Sequence, residues 1–284
     1  MLCAALLLGS AACDSSQPEL DPAASQDVAE SVAALVSEDN GGVVDQAADV
    51  YEMASAGSIE AQTVVANAKS TFGSTVERTY DESTRTWTIQ LSREREDVDG
   101  DRFMSMERTY TVQFLDGDGN PQQFLVTEGV HAHSIHFTID DGSSTVHTPR
   151  IEAETRNLSG DWTATGVDTD TVMLNGTYHR EGSHKITGAE AERTLEFEVD
   201  LTVTDLVGPK GSRRDLSQKI SGTVTGRWQG TAAFATGDIY RERTIERNVT
   251  IEIADGVQTI YVNGVELSAD VRTGVIRENG FRLR

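Results

Sequence analysis

From Val76 onward, apolar residues recur at every second position in short stretches broken by turn signals, and this period most limits the fold. Successive side chains of a strand face opposite ways, so each stretch reads as a strand with one apolar and one polar face. Trp87, Ile89 and Leu91 alternate with polar neighbours, as do Tyr110, Val112 and Phe114. Further stretches lie near 131–139, 144–152, 171–179, 194–204, 218–228, 239–253, 257–262 and 265–276. Asp141-Gly142, Asn175-Gly176, Gly208-Pro209, Asp255-Gly256 and Asn263-Gly264 read as the turns between them. Parallel strands need long crossovers, and no helical period follows Gly73 to supply them. The expectation is a mainly β domain over 74–284, an antiparallel meander forming a curled sheet or barrel. A β-sandwich with the helices packed outside is the alternative.

Residues 25–73 carry a different period. Val28, Val32, Leu35 and Val36 recur at helical spacing, and Asp39-Asn40-Gly41-Gly42 stops the run. Val43, Ala47, Val50 and Ala54 form a second stripe; Ala61, Val65, Ala68 and Phe72 form a third, after Ser58. These Ala- and Val-rich stripes predict an acidic helical segment that packs closely on the larger β part, covering a face or plugging an opening.

The chain begins Met-Leu-Cys-Ala-Ala-Leu-Leu-Leu-Gly-Ser-Ala-Ala-Cys. Leu2 to Leu8 is too short to span a bilayer but suits the core of a signal peptide. Ser10-Ala11-Ala12-Cys13 resembles the lipobox of bacterial lipoproteins. The resemblance implies a signal peptide over 1–12 and a Cys13 that is acylated, with palmitate among its lipids, as the mature N-terminus. Residues 13–24 then form the acylated cysteine and a polar, proline-containing tether. With Cys3 in the signal and Cys13 lipidated, no thiol remains for disulfides, thiolate catalysis or cysteine-ligated zinc.

Charge is uneven. The net charge is −22, which argues against nucleic acid as a partner, since phosphates would be repelled. Eleven acids and one base precede residue 74, whereas 35 acids and 23 bases follow. Lysine is scarce, with four against twenty arginines. An acidic, lysine-poor chain suits a salty habitat, and a codon bias toward arginine gives the same imbalance.

Candidate sites are few. Asp116-Gly-Asp-Gly-Asn evokes a calcium loop, but an EF-hand starting there would need Gly and Glu where Pro121 and Thr127 stand. A hairpin turn fits better. Four of the six histidines lie between 131 and 147. A two-residue loop at Asp141-Gly142 would set His136 opposite His147, His133 opposite Arg150 and His131 opposite Glu152. His131, His133, His136 and His147 then split between two faces, and neither pair supplies the three protein ligands of a catalytic zinc site. His179 or His184 would join them only through tertiary structure. No metal is therefore assigned, and a hydrogen-bonded cluster is expected. The Arg93-Glu94-Arg95-Glu96 and Arg241-Glu242-Arg243 runs read as cross-strand ion pairs on a solvated face. Arg213-Arg214 reads as an exposed loop. Trp87, Trp162 and Trp228 read as core, or as the lining of a cavity.

No nucleophile elbow, Walker loop, dinucleotide fingerprint or zincin motif occurs. The expected protein is therefore not an enzyme and takes no cofactor. It is a lipid-anchored bacterial cell-envelope protein, at the outer membrane rather than the inner, with a binding or structural role and an envelope protein as possible partner. Two rivals stand beside this: a carrier holding an apolar ligand inside the β domain, and a metal enzyme or hydrolase using the 131–147 histidines.

Overall fold

The computed structural model describes residues 22–55, 71–96, 100–149, 151–187, 192–211, 216–236, 239–277 and 282–283. Two helices come first, α1 (Pro22–Val36) and α2 (Val43–Met53). Three long strands follow: β1 (Thr71–Asp81), β2 (Thr86–Glu96) and β3 (Phe103–Leu115). Short β4 (Pro121–Gln122), β5 (Val126–Thr127) and β6 (Val130–His131) interrupt the meander. It resumes with β7 (Ser134–His147), β8 (Ile151–Thr165), β9 (Thr171–Thr187) and β10 (Glu192–Pro209). β11 (Ser221–Thr236) and β12 (Ile239–Ala254) complete the long strands. β13 (Val257–Val262), β14 (Val265–Asp270) and β15 (Arg282–Leu283) end the chain's described part.

All of these but β5 and β6 join one antiparallel sheet, ordered β1-β2-β3-β7-β8-β9-β10-β11-β12-β13-β14-β15, with β4 beside β3. Strand follows strand in sequence order, as short connections require. The sheet is a curled meander that does not close into a barrel, because β1 and β15 are its separate ends. It is also one sheet rather than the two layers of a sandwich.

The helices pack inside the curl. Their apolar residues and the inner faces of the strands form a single core, with Val28, Val32 and Leu35 sharing it with Trp162, Trp228 and Ile260. All three tryptophans are buried there. Trp228 donates its indole N–H to Ser31 Oγ at 3.2 Å, and Tyr51 donates to the Leu206 carbonyl at 2.7 Å. The helical segment is thus part of the β domain's core. Helix α1 begins at Pro22, three residues before the expected start, and the sheet begins at Thr71, which puts Phe72 in β1 rather than on a third helix.

The acidity of the helices has a counterpart in the sheet. Asp45 and Asp49, four apart on α2, meet Arg93 and Arg108. Arg108 Nη1 donates to Asp45 Oδ2 at 2.8 Å, its Nη2 donates to the Gly41 carbonyl at 2.7 Å, and Tyr110 donates to Asp49 at 2.8 Å. Asp27 on α1 takes Arg193 and Arg243, and Asp39 takes Arg95, Arg102 and Arg272. This corrects the expected solvated cross-strand pairing. Arg93, Arg95 and Arg243 point toward the helices and hold their carboxylates, while Glu94 and Glu96 face solvent.

Two turn assignments also change. Asp255-Gly256 and Asn263-Gly264 are two-residue hairpin loops with both residues at positive φ, as the favoured hairpin turn requires. Asp141-Gly142 and Asn175-Gly176 instead lie within β7 and β9. At 142 a Cβ would stand 2.9 Å from the Leu158 side chain, so glycine serves close packing there. Asp140 is the extra residue of a bulge, since Thr109 pairs with Asp141 and Tyr110 with Ile139. The real turn after β7 follows His147.

Candidate functional site

The missing turn at Asp141-Gly142 dissolves the predicted histidine cluster. His136 and His147 lie on one strand, eleven positions and roughly 36 Å apart at ~3.3 Å per residue. His136 is opposite Gln113 and Thr163; His147 is opposite Phe103 and Glu152. His131 pairs with Val126 in the small β5–β6 hairpin, and the exposed His133 lies 3.5 Å from Asp168. These four residues form no common site. Asp116 caps a turn: its Oδ1 accepts from the backbone N–H of Asp118 at 2.9 Å and of Asn120 at 2.8 Å. Cys13, residues 1–21, the third stripe through Ala68 and Arg213-Arg214 lie outside the described residues.

The outer face of the sheet is polar and ordered by register. One row reads Thr79, Thr88, Thr111, Thr138, Asp161, Thr177, Thr202, Thr225, Thr250 across nine strands. Threonine suits this position because its branched stem favours the strand and its hydroxyl meets water. Asp161 is the exception, and a groove of about 530 Å³ opens there across β7 to β10. Thr138, Asp140, Asp161, Thr177, His179 and Asp200 are among the residues lining it.

Each aspartate in the groove has a donor. Asp140 accepts from the hydroxyls of Thr111 and Thr138, and Asp161 meets His136 Nε2 at 2.9 Å. At the groove's edge, His179 on β9 is directly opposite Asp200 on β10, with Nδ1 2.8 Å from Asp200 Oδ1. Its Nε2 lies 3.3 Å from Glu181 Oε1 on the same face of β9. Glu181 is in turn opposite Glu198. Gln229 donates to Glu198 at 2.7 Å, and Asn157 donates to Glu181 at 3.3 Å. Partial burial disfavours charge on His179, but its hydrogen bonds to Asp200 and Glu181 outweigh this and raise its pKa above histidine's ordinary value. The same contact, with that from Asn157, lowers the pKa of Glu181.

The arrangement presents one imidazole among three carboxylates beside a groove of hydroxyls and further carboxylates. It can bind cations or hydrogen-bond donors. Strand alternation alone puts His179 with Glu181, and Glu198 with Asp200, but the register of β9 on β10 brings the two pairs together. That register is constant from Thr187↔Glu192 to Val203↔Gly176, and alternation along a single strand does not fix it.

No described helix is long and apolar enough to cross a membrane. No protein-family model matches the chain, and no curated protein or solved structure matches it significantly.

Proposed function

We propose that the protein is a lipid-anchored component of a bacterial cell envelope that works by binding at the outer face of its sheet, without catalysis. One observation carries the binding part: α1 and α2 occupy the inside of the curl, whereas the outer face carries a groove lined by carboxylates, hydroxyls and the imidazole of His179. An apolar cargo inside the β domain is the less favoured reading, because the space it needs is occupied by Val28, Val32, Val50 and Tyr51. The anchoring part is supported by the lipobox-like Ser10-Ala11-Ala12-Cys13. Only eight residues separate Cys13 from Pro22, a reach of at most ~32 Å when extended. Such an anchor would hold the domain close to its membrane, within reach of an envelope partner.

The test is metabolic labelling with a palmitate analogue in a bacterial host, followed by membrane fractionation. The wild-type chain is expected to carry label and to sediment with membranes, and Cys13→Ser to lose both. An unlabelled wild-type chain in the soluble fraction would overturn the anchoring.

A further inference from the structure

We infer that His179, Glu198 and Asp200 bind a divalent first-row transition ion of the zinc class at the edge of the outer groove. This deepens the reading of that face as the binding surface and does not depend on lipidation.

The three side chains come from adjacent strands, and one ligand atom from each lies within 4.8 Å of the other two. Zinc takes ligands at ~2.0–2.2 Å, so the donors already surround a point that small side-chain rotations would close onto an ion. The charge pattern asks for a cation. Glu181 and Glu198 stand directly opposite each other, and like charges at such positions repel. Carboxylates only accept hydrogen bonds, so an imidazole contacting carboxylates through both nitrogens must place a proton or a metal ion at each contact. Glu181 faces Nε2 and Asp200 faces Nδ1. With an ion at Nδ1, the N–H at Nε2 donates to Glu181, which holds the ring in the tautomer whose Nδ1 lone pair faces the ion beside Asp200. A carboxylate partner on the far ring nitrogen is the usual support for a metal-bound histidine. Gln229 steadies Glu198 in the same way. A mixed nitrogen and oxygen donor set favours zinc-class ions over calcium, which prefers oxygen alone. With three protein donors, a further position remains for water or for a group held in the groove.

The metal and the proton compete for His179. The groups facing its ring are Asp200 and Glu181, with Glu198 beside them on β10, Arg227 opposite Asp200 on β11 and the uncharged Ser159 on β8. Because those carboxylates favour the imidazolium, a proton competes with the ion for His179 and binding should weaken as the pH falls.

The experiment titrates the full-length chain, carried on a tag without histidine, with Co²⁺ read by visible absorption and then with Zn²⁺ by calorimetry. One ion per chain is expected at neutral pH, with Zn²⁺ displacing Co²⁺. His179→Gln and Glu198→Gln should each weaken binding at least tenfold, while His136→Gln, across the groove, should bind as the wild type does. Unchanged unfolding midpoints identify a lost site rather than a lost fold. Wild-type binding no tighter than that of His179→Gln would overturn the site. Binding abolished equally by His136→Gln would place the ion elsewhere and overturn it too. The labelling of Cys13 is unaffected by either outcome.

Discussion

Arg108 and His184, both buried, meet the cost of burial in different ways. Arg108 is 3% exposed, yet its guanidinium is matched by Asp45, Asp49, Tyr110 and a backbone carbonyl, so its desolvation is offset by short contacts. His184 takes the other course and stays neutral. It lies on the inner face of β9, between Ala153 and Leu195, with its ring 4.7 Å from Phe197. Burial first, then the positive charge of nearby Arg180, pushes its pKa down to about 3. The unfolded chain, with an ordinary histidine near 6.5, binds the proton more readily than the folded one. Stability from this residue is therefore complete above about pH 6.5, declines at up to ~1.4 kcal/mol per pH unit below it, and levels off near pH 3. We expect the wild-type unfolding midpoint in urea to fall between pH 6.5 and 4, and His184→Leu to flatten that fall. An equally steep profile in the variant would show that other groups govern it.

The curl of the sheet is set by glycines on the inner faces of its middle strands. Phe197 on β10 stands between Gly182 on β9 and Gly230 on β11, and Val203 stands between Gly176 and Val224. A Cβ on Gly226 would lie 2.0 Å from the Asp200 carbonyl oxygen, and one on Gly230 would lie 2.1 Å from that of Glu196. Small and large residues thus alternate where curvature crowds side chains together, which is how a sheet is bent on purpose. Gly226→Ala should cost at least the ~1–3 kcal/mol of an overpacked core, whereas Thr225→Ala, next to it but facing out, should stay within about 0.5 kcal/mol. Urea denaturation of both variants checks this, and equal small effects would remove the role given to glycine.

These same glycines explain what was legible in the sequence. The period of two gave the strands, their antiparallel order and the buried tryptophans, because burial on one face leaves its mark on every second residue. It could not distinguish a glycine that turns the chain from one that bends a strand: Asp255-Gly256 and Asp141-Gly142 carry the same letters. The misplaced turn at 141–142 then put His136 opposite His147. His179 remained hidden because its partners are fixed by the pairing of β9 with β10.

At the scale of the whole molecule, charge is divided between two environments that salt treats differently. Inside the curl, the carboxylates of Asp27, Asp45 and Asp49 are paired with arginines and largely shielded from ions in solution. On the outer face, Asp140, Asp161, Glu181, Glu198 and Asp200 crowd one region of a chain that already carries −22. Exposed like charges repel over a distance of ~10 Å at 0.1 M salt and only ~3 Å at 1 M, whereas buried pairs are screened far less. Raising the salt should therefore relieve the outer repulsion without dissolving the inner pairs, so the folded state gains. The unfolding midpoint in urea, which adds no ions of its own, should rise as sodium chloride goes from about 0.05 M to about 1 M. An unchanged midpoint would mean that the outer carboxylates are too well solvated to strain the fold. A falling midpoint would mean that salt reaches the arginine–carboxylate pairs and that they contribute more stability than the outer repulsion removes.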